Sequence, residues 1–223
     1  MIITTSKPFE EVLQALEGED KVFVIGCANC AADCETGGEP EVAEMKEKLE
    51  AEGKTVTGTV VYEEVCHELN TKRKFRENKE AVENAEGFIV MCCGAGVQSV
   101  REATEEAVHP ACNTEFLGNI LRHGNFTEKC SLCGDCVLED FGAICPVTRC
   151  HKGILNGPCG GTDEGKCETD KEKDCAWTLI YNQLEKMGKL DRFRKIYGLK
   201  NWQVVQKPGR VIIERKGKGG EGE

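Results

Sequence analysis

Residues 21–30 read KVFVIGCANC. The first five are a short, continuous apolar run, the pattern of a strand buried on both faces. The run stops at Gly26, and Cys27, Cys30 and Cys34 follow before Gly37-Gly38. The same order recurs twice. TVTGTVVYEEV (55–65) reads as a strand that reaches Cys66, and GFIVM (87–91) as a buried strand that reaches Cys92-Cys93-Gly94. Helical spacing fills the gaps. Residues 7–17 place Phe9, Val12, Leu13 and Leu16 on one face, with Ser6 as the expected cap. Residues 40–52 do the same through Val42, Met45 and Leu49, with Gly53 as the stop. A charged helix is predicted over about 67–83, and another over about 97–107 through Val97, Val100, Thr104 and Val108.

Strand–helix alternation predicts an α/β fold, a small doubly wound parallel-sheet domain over residues 1–125. Right-handed crossovers bring the C-terminal ends of parallel strands to one edge, where open α/β sheets bind ligands. Cys27, Cys30 and Cys34 would reach that rim from the first strand, Cys66 from the second and Cys93 from the third. Three thiols in one glycine-flanked loop can share a metal centre. Cys66 or Cys92 taken singly is equally readable as a packed, inert thiol. Gly94-Ala95-Gly96 is only a weak anion-cradle signal; without the full G-x-G-x-x-G pattern it predicts no nucleotide site.

Residues 113–123, with Phe116, Leu117, Ile120 and Leu121, are predicted to form a connecting helix, and Cys112 before it reads as structural. A different composition then takes over. Residues 126–203 carry Cys130, Cys133, Cys136, Cys145, Cys150, Cys159, Cys167 and Cys175 among glycines and prolines, with little apolar material. The expectation is an irregular cysteine-rich metal-binding domain in which metal–sulfur bonds replace much of a core. C-x2-C-x2-C at 130–136 followed by Cys145-Pro146 partly matches the ferredoxin ligand run and favours iron–sulfur centres over paired zinc knuckles. Glycines around Cys159 either admit backbone N–H groups to the sulfurs or simply turn the chain. A terminal helix is predicted from Cys175 through Trp177, Ile180, Tyr181 and Leu184, and residues 204–223 read as a basic tail or arm.

Bulk properties narrow the function. The 223 residues include 15 cysteines, an odd count, and the N-terminus MIITTSKPFEEV lacks a basic start followed by an apolar run. Both argue for a cytoplasmic chain with reduced thiols rather than a disulfide framework. The formal charge is −10, with residues 186–223 locally basic, which disfavours a nucleic-acid binder; no segment has the apolar length of a membrane span.

The motifs GCANCAADCETGG (26–38), CGAGVQ (93–98), CSLCGDCVLEDFGAICPVTRCHKGILNGPCGG (130–161) and GKCETDKEKDCAW (165–177) resemble the small MetV-type subunit, and the equivalent C-terminal module, of bacterial methylenetetrahydrofolate reductases. The similarity spans about residues 6–200. It implies an electron-transfer role, with iron–sulfur clusters, two or three of them [4Fe-4S], held by the rim and field cysteines. It leaves zinc open at one site. The flavin and the folate substrate would belong to a partner TIM-barrel subunit, and ferredoxin or a larger reductase complex would supply electrons. Cys92 departs from the family pattern, in which Cys93 alone precedes the glycine, and so is not counted as a ligand. A structural zinc scaffold that recruits the barrel subunit is the competing reading, and a dithiol enzyme using Cys27 and Cys30 is a third.

Overall fold

The computed structural model describes residues 1–213. It divides into two compact units, Met1–Lys129 and the chain from Cys130 onward. The first unit runs β1 (Ile2–Ser6), α1 (Phe9–Ala15), β2 (Lys21–Cys27), α2 (Cys30–Asp33), α3 (Glu39–Ala51), β3 (Thr55–Tyr62), α4 (Glu68–Glu77), α5 (Lys79–Glu83), β4 (Gly87–Met91), α6 (Gly94–Arg101), β5 (Ala107–Pro110), β6 (Cys112–Arg122) and β7 (Asn125–Cys130).

Strands β3-β2-β4-β5 form a parallel sheet in that order. The apolar run at 21–25 is its middle, and Val22, Phe23, Val24 and Ile25 are all fully buried. Alternation along β2 and β4 divides them between two cores. Phe23, Ile25, Phe88 and Val90 pack with Phe75 of α4 and Val100 of α6. Val22, Val24, Ile89 and Met91 pack with Val12 and Leu16 around α1 and with Val42 and Leu49 of α3. Helices therefore cover both faces. Each fully buried Val, Ile or Phe contributes about 1.5–3 kcal/mol of transfer free energy, so the sheet centre dominates this unit's stability. From β2 the chain steps outward to β3, then returns across β2 to β4 and β5. The winding thus reverses between β2 and β4, and the crevice at such a reversal is where α/β sheets take ligands.

Several local expectations give way. Ser6 belongs to β1 and caps nothing; Pro8 precedes α1. The charged helix breaks at Asn78 into α4 and α5. The helix expected to 107 ends at Arg101, and Val108 lies in β5 opposite Phe88. Most different is 113–123, which is strand β6. Its Phe, Leu and Ile spacing satisfies a helix, but Asn113, Thr114, Gly118 and Asn119 weaken one. β1 supplies an antiparallel ladder from Ile2↔Leu117 to Ser6↔Cys112, and pairing overrides the helical pattern. Gly124, at φ +72°, turns β6 back into β7.

The second unit has little regular structure: α7 (Pro146–Arg149), α8 (Ala176–Lys186) and short 3₁₀ turns at Leu138–Phe141, Leu190–Arg194 and Trp202–Val204. The expected terminal helix is α8. Its Trp177, Ile180 and Leu184 form a small core with Phe141 and Cys175. Trp177 meets Phe141 and Phe193 edge-on at 5.4 and 5.8 Å. Residues 205–213 follow without helix or strand; the rest of the expected basic tail, 214–223, lies outside the described residues. Among the described residues no helix is long and apolar enough to cross a membrane.

Candidate metal centres

All fifteen cysteines are unpaired. In the first unit, backbone contact seats the Cys27–Cys34 loop over the strand ends. A Cβ on Gly26 would strike the Gly37 carbonyl oxygen, and one on Gly37 would strike the Met91 carbonyl. The loop therefore closes backbone to backbone across β2 and β4, which only glycine allows. The N-terminal strand fastens it from the other side. Thr4 and Thr36 share a buried hydroxyl hydrogen bond of 2.7 Å, and Thr36 also donates to the Ala31 carbonyl at 3.2 Å. The Ile2 N–H donates to Cys30 Sγ at 3.5 Å, and the Cys34 thiol reaches the Ile2 carbonyl at 4.0 Å. Beyond the loop, Gly38 N–H donates to the Glu41 carboxylate at 2.8 Å, starting α3.

The rim thiols sense one another. Burial first, then the charges of Cys93, Cys27 and Cys30, push the Cys66 thiol above its usual range. Cys66 reaches the rim from a turn rather than from β3 itself, which ends at Tyr62. Cys93 precedes α6. The adjacent Cys92 thiol favours its thiolate most, burial opposes, and the N–H groups of Gly96 and Ala95 assist, bringing Cys93 down to about 5. Cys92 is pushed far up by Cys93 and by burial, and packs inward where Gly96 leaves room for its sulfur. Gly96 thus serves both a thiolate and a close packing contact, whereas the Gly94 N–H donates to the Thr114 hydroxyl. Cys112 is buried and raised to about 11, chiefly by burial; it donates to the Thr36 carbonyl at 3.4 Å.

In the second unit, Leu132 (φ +53°) and Gly134 (φ +72°) alternate with Cys130, Cys133 and Cys136, coiling the loop tightly. Cys130 Sγ accepts the Leu132 N–H at 3.3 Å, and the Cys133 thiol faces the Asp135 carbonyl at 3.7 Å. Thr148 ties this loop to Cys145: its hydroxyl meets Ser131 at 2.8 Å and Cys145 Sγ at 3.6 Å. Cys150 follows α7 and packs against the small core that includes Cys175. Cys159 Sγ lies 3.9 Å from Glu168, which also pairs with Lys152. The bridges Asp163↔Lys166 and Lys166↔Asp174 fold Cys167 back toward Cys175. At Cys175, just before α8, burial raises the thiol but the Thr178 N–H and hydroxyl, the Trp177 N–H and Thr162 outweigh it, leaving it lowered. Gly157 has a packing role that spacing could not reveal, because a Cβ there would enter the Trp177 indole.

Among the described residues no three His, Cys, Asp or Glu side chains stand close enough to hold a metal ion as they are. The donors nonetheless suit one: unpaired thiols, several with N–H groups turned to sulfur, on loops with little core of their own. Loops of this kind draw their sulfurs together when metal binds.

No curated protein matches the chain. Residues 109–203, a span that takes in β6, β7 and the whole field from Cys130 to Cys175, match the family model described as methylene-tetrahydrofolate reductase C terminal, and through that domain the chain is related to methylenetetrahydrofolate reductase.

Proposed function

We propose that this chain is the electron-transfer subunit of a flavin-dependent methylenetetrahydrofolate reductase, working in the cytoplasm beside a TIM-barrel subunit that carries the flavin. Electrons from ferredoxin or a larger reductase complex would pass through this chain to that flavin, for reduction of 5,10-methylenetetrahydrofolate to 5-methyltetrahydrofolate. The observation that carries the reading is the family match over a field of eight unpaired thiols. Iron–sulfur centres, when bound, supply one-electron transfer. Cys130, Cys133, Cys136 and Cys145, joined through Thr148, would hold one; Cys150, Cys159, Cys167 and Cys175 a second; Cys27, Cys30, Cys66 and Cys93, with Cys34 alongside, a third. The residues act as ligands and as N–H donors that set potential, and none is assigned acid–base work.

The test is anaerobic purification of the chain together with the flavoprotein that binds it, followed by iron, sulfide and zinc analysis. Iron and sulfide with a visible absorbance that bleaches on reduction are expected, and Cys133→Ser should lower the iron content. A preparation with neither iron nor sulfide overturns the relay. Zinc alone would make the chain a scaffold for the catalytic subunit.

A further inference from the structure

Lys200 stands out among the cations of the second unit. Its Nζ donates to the Asp135 carbonyl oxygen at 2.7 Å and lies 3.5 Å from the Asp135 carboxylate, and its side chain is only 5% exposed. That carbonyl oxygen is also the acceptor facing the Cys133 thiol. Ammonium and sulfur therefore share one oxygen and can stand no farther apart than the two contact lengths together. The segment after Lys200 is held to the same loop: a Cβ on Gly134 would enter the Val205 side chain and come within 3.3 Å of Val204. The Lys200 ammonium also sits 5.7 Å from the Trp202 ring centroid. Lys152 beside Cys159 offers a contrast. Both lysines have a carboxylate partner, but the Lys152 side chain is 44% exposed, so water screens its charge.

We propose that Lys200 is a fixed positive charge seated on the Cys130–Cys136 loop, raising the reduction potential of a centre held there. The inference rests on the electron-transfer reading above and names a residue that touches none of the reacting groups. A reduced centre carries one more negative charge than an oxidised one, so a cation at this range favours the reduced form. Lys200 also packs the 200–205 segment onto the ligand loop, and so positions the charge it carries.

The experiment is redox titration, followed by electron paramagnetic resonance, of the anaerobic complex carrying Lys200→Met or Lys200→Arg, with iron measured on each. At a fixed applied potential, Lys200→Met should lower the ratio of reduced to oxidised centre about tenfold, taking an effective dielectric of about 20 and a partial offset by Asp135. That corresponds to about 59 mV for a one-electron couple. Lys200→Arg should titrate with the wild type, which loss of packing alone would not produce. If Lys200→Met cannot be loaded, Lys200→Gln, which keeps a polar head but no charge, must lower the potential likewise. An iron-loaded variant, Lys200→Met or Lys200→Gln, whose potential does not move overturns the assignment of Lys200 alone. Absence of iron from the wild-type complex overturns the electron-transfer reading, and this inference with it.

Discussion

The Gly37→Ala substitution tests how the cysteine loop of the first unit is seated. The added carbon would fall on the Met91 carbonyl oxygen, 2.9 Å from the Met91 carbonyl carbon and 3.1 Å from the Ala31 Cβ. Met91 is held in the ladder opposite Gly26, where a Cβ would in turn meet the Gly37 carbonyl oxygen, so the clash is with backbone and no side chain can turn away to relieve it. Overpacking of this kind costs about 1–3 kcal/mol. For a chain of this length that lowers the melting temperature by about 2–12 °C. Both tryptophans, Trp177 and Trp202, lie in the second unit, so far-UV circular dichroism is the appropriate probe and indole fluorescence reports elsewhere. Gly198→Ala is the control, because a Cβ there meets nothing within 4 Å, and it should stay within about 0.5 kcal/mol of wild type. If Gly37→Ala melts with the wild type, the backbone closure over β2 and β4 is not what seats the loop.

Other expectations follow from single contacts. Tyr62, pushed up to about 12 mainly by burial, shares a 2.8 Å hydrogen bond with Thr71; Tyr62→Phe should cost about 0.5–1.5 kcal/mol in urea denaturation, since Thr71 keeps its bond to the Val65 carbonyl. Glu86 accepts the N–H groups of Asp20 and Lys21 at 2.8 and 3.1 Å, and these bonds hold its carboxyl below the ordinary glutamate range. A depressed folded pKa means stability present above the unfolded value and lost as pH falls through the folded one, so Glu86→Gln should flatten the acid limb of a stability–pH curve; an unchanged limb would contradict the assignment. Trp177→Ala should cost about 3–5 kcal/mol in the second unit. Trp177→Phe should cost less, because the indole N–H is the one buried side-chain polar atom without a partner among the described residues, and differential scanning calorimetry would separate the two.

The parallel sheet was legible because β2 and β4 are continuous apolar runs ending in glycine and cysteine, and such runs have few other uses. GFIVM is strand β4 residue for residue. β1 and β6 were hidden for one shared reason: each is a strand because the other is there. IITTS is too short to announce itself, and NTEFLGNILR carries a helix-compatible spacing that only the non-local ladder defeats. β5 escaped because Val108 fits the preceding helical face as well as it fits its place opposite Phe88. At the candidate centres, the placing of Cys27, Cys30, Cys66 and Cys93 toward one edge of the sheet followed from strand order alone, although among the described residues no three such side chains stand close enough to hold a metal. The support under them did not. Ile2 on Cys30, Thr148 between Ser131 and Cys145, and Lys200 on Asp135 join residues with no common sequence pattern.

The uneven accessibility of the fifteen sulfurs has a practical consequence. Cys66, Cys130, Cys136 and Cys159 are exposed, whereas Cys27, Cys92, Cys112 and Cys175 are buried. Metal-free protein handled in air would therefore cross-link first through Cys130, Cys136 and Cys159, in the field that a bound centre would otherwise occupy, and through half-buried Cys93, whose thiolate is favoured, ahead of Cys66, whose thiol is pushed up. Brief alkylation read by peptide mass spectrometry would record the same hierarchy as a fingerprint, distinguishing freshly stripped protein from material already damaged.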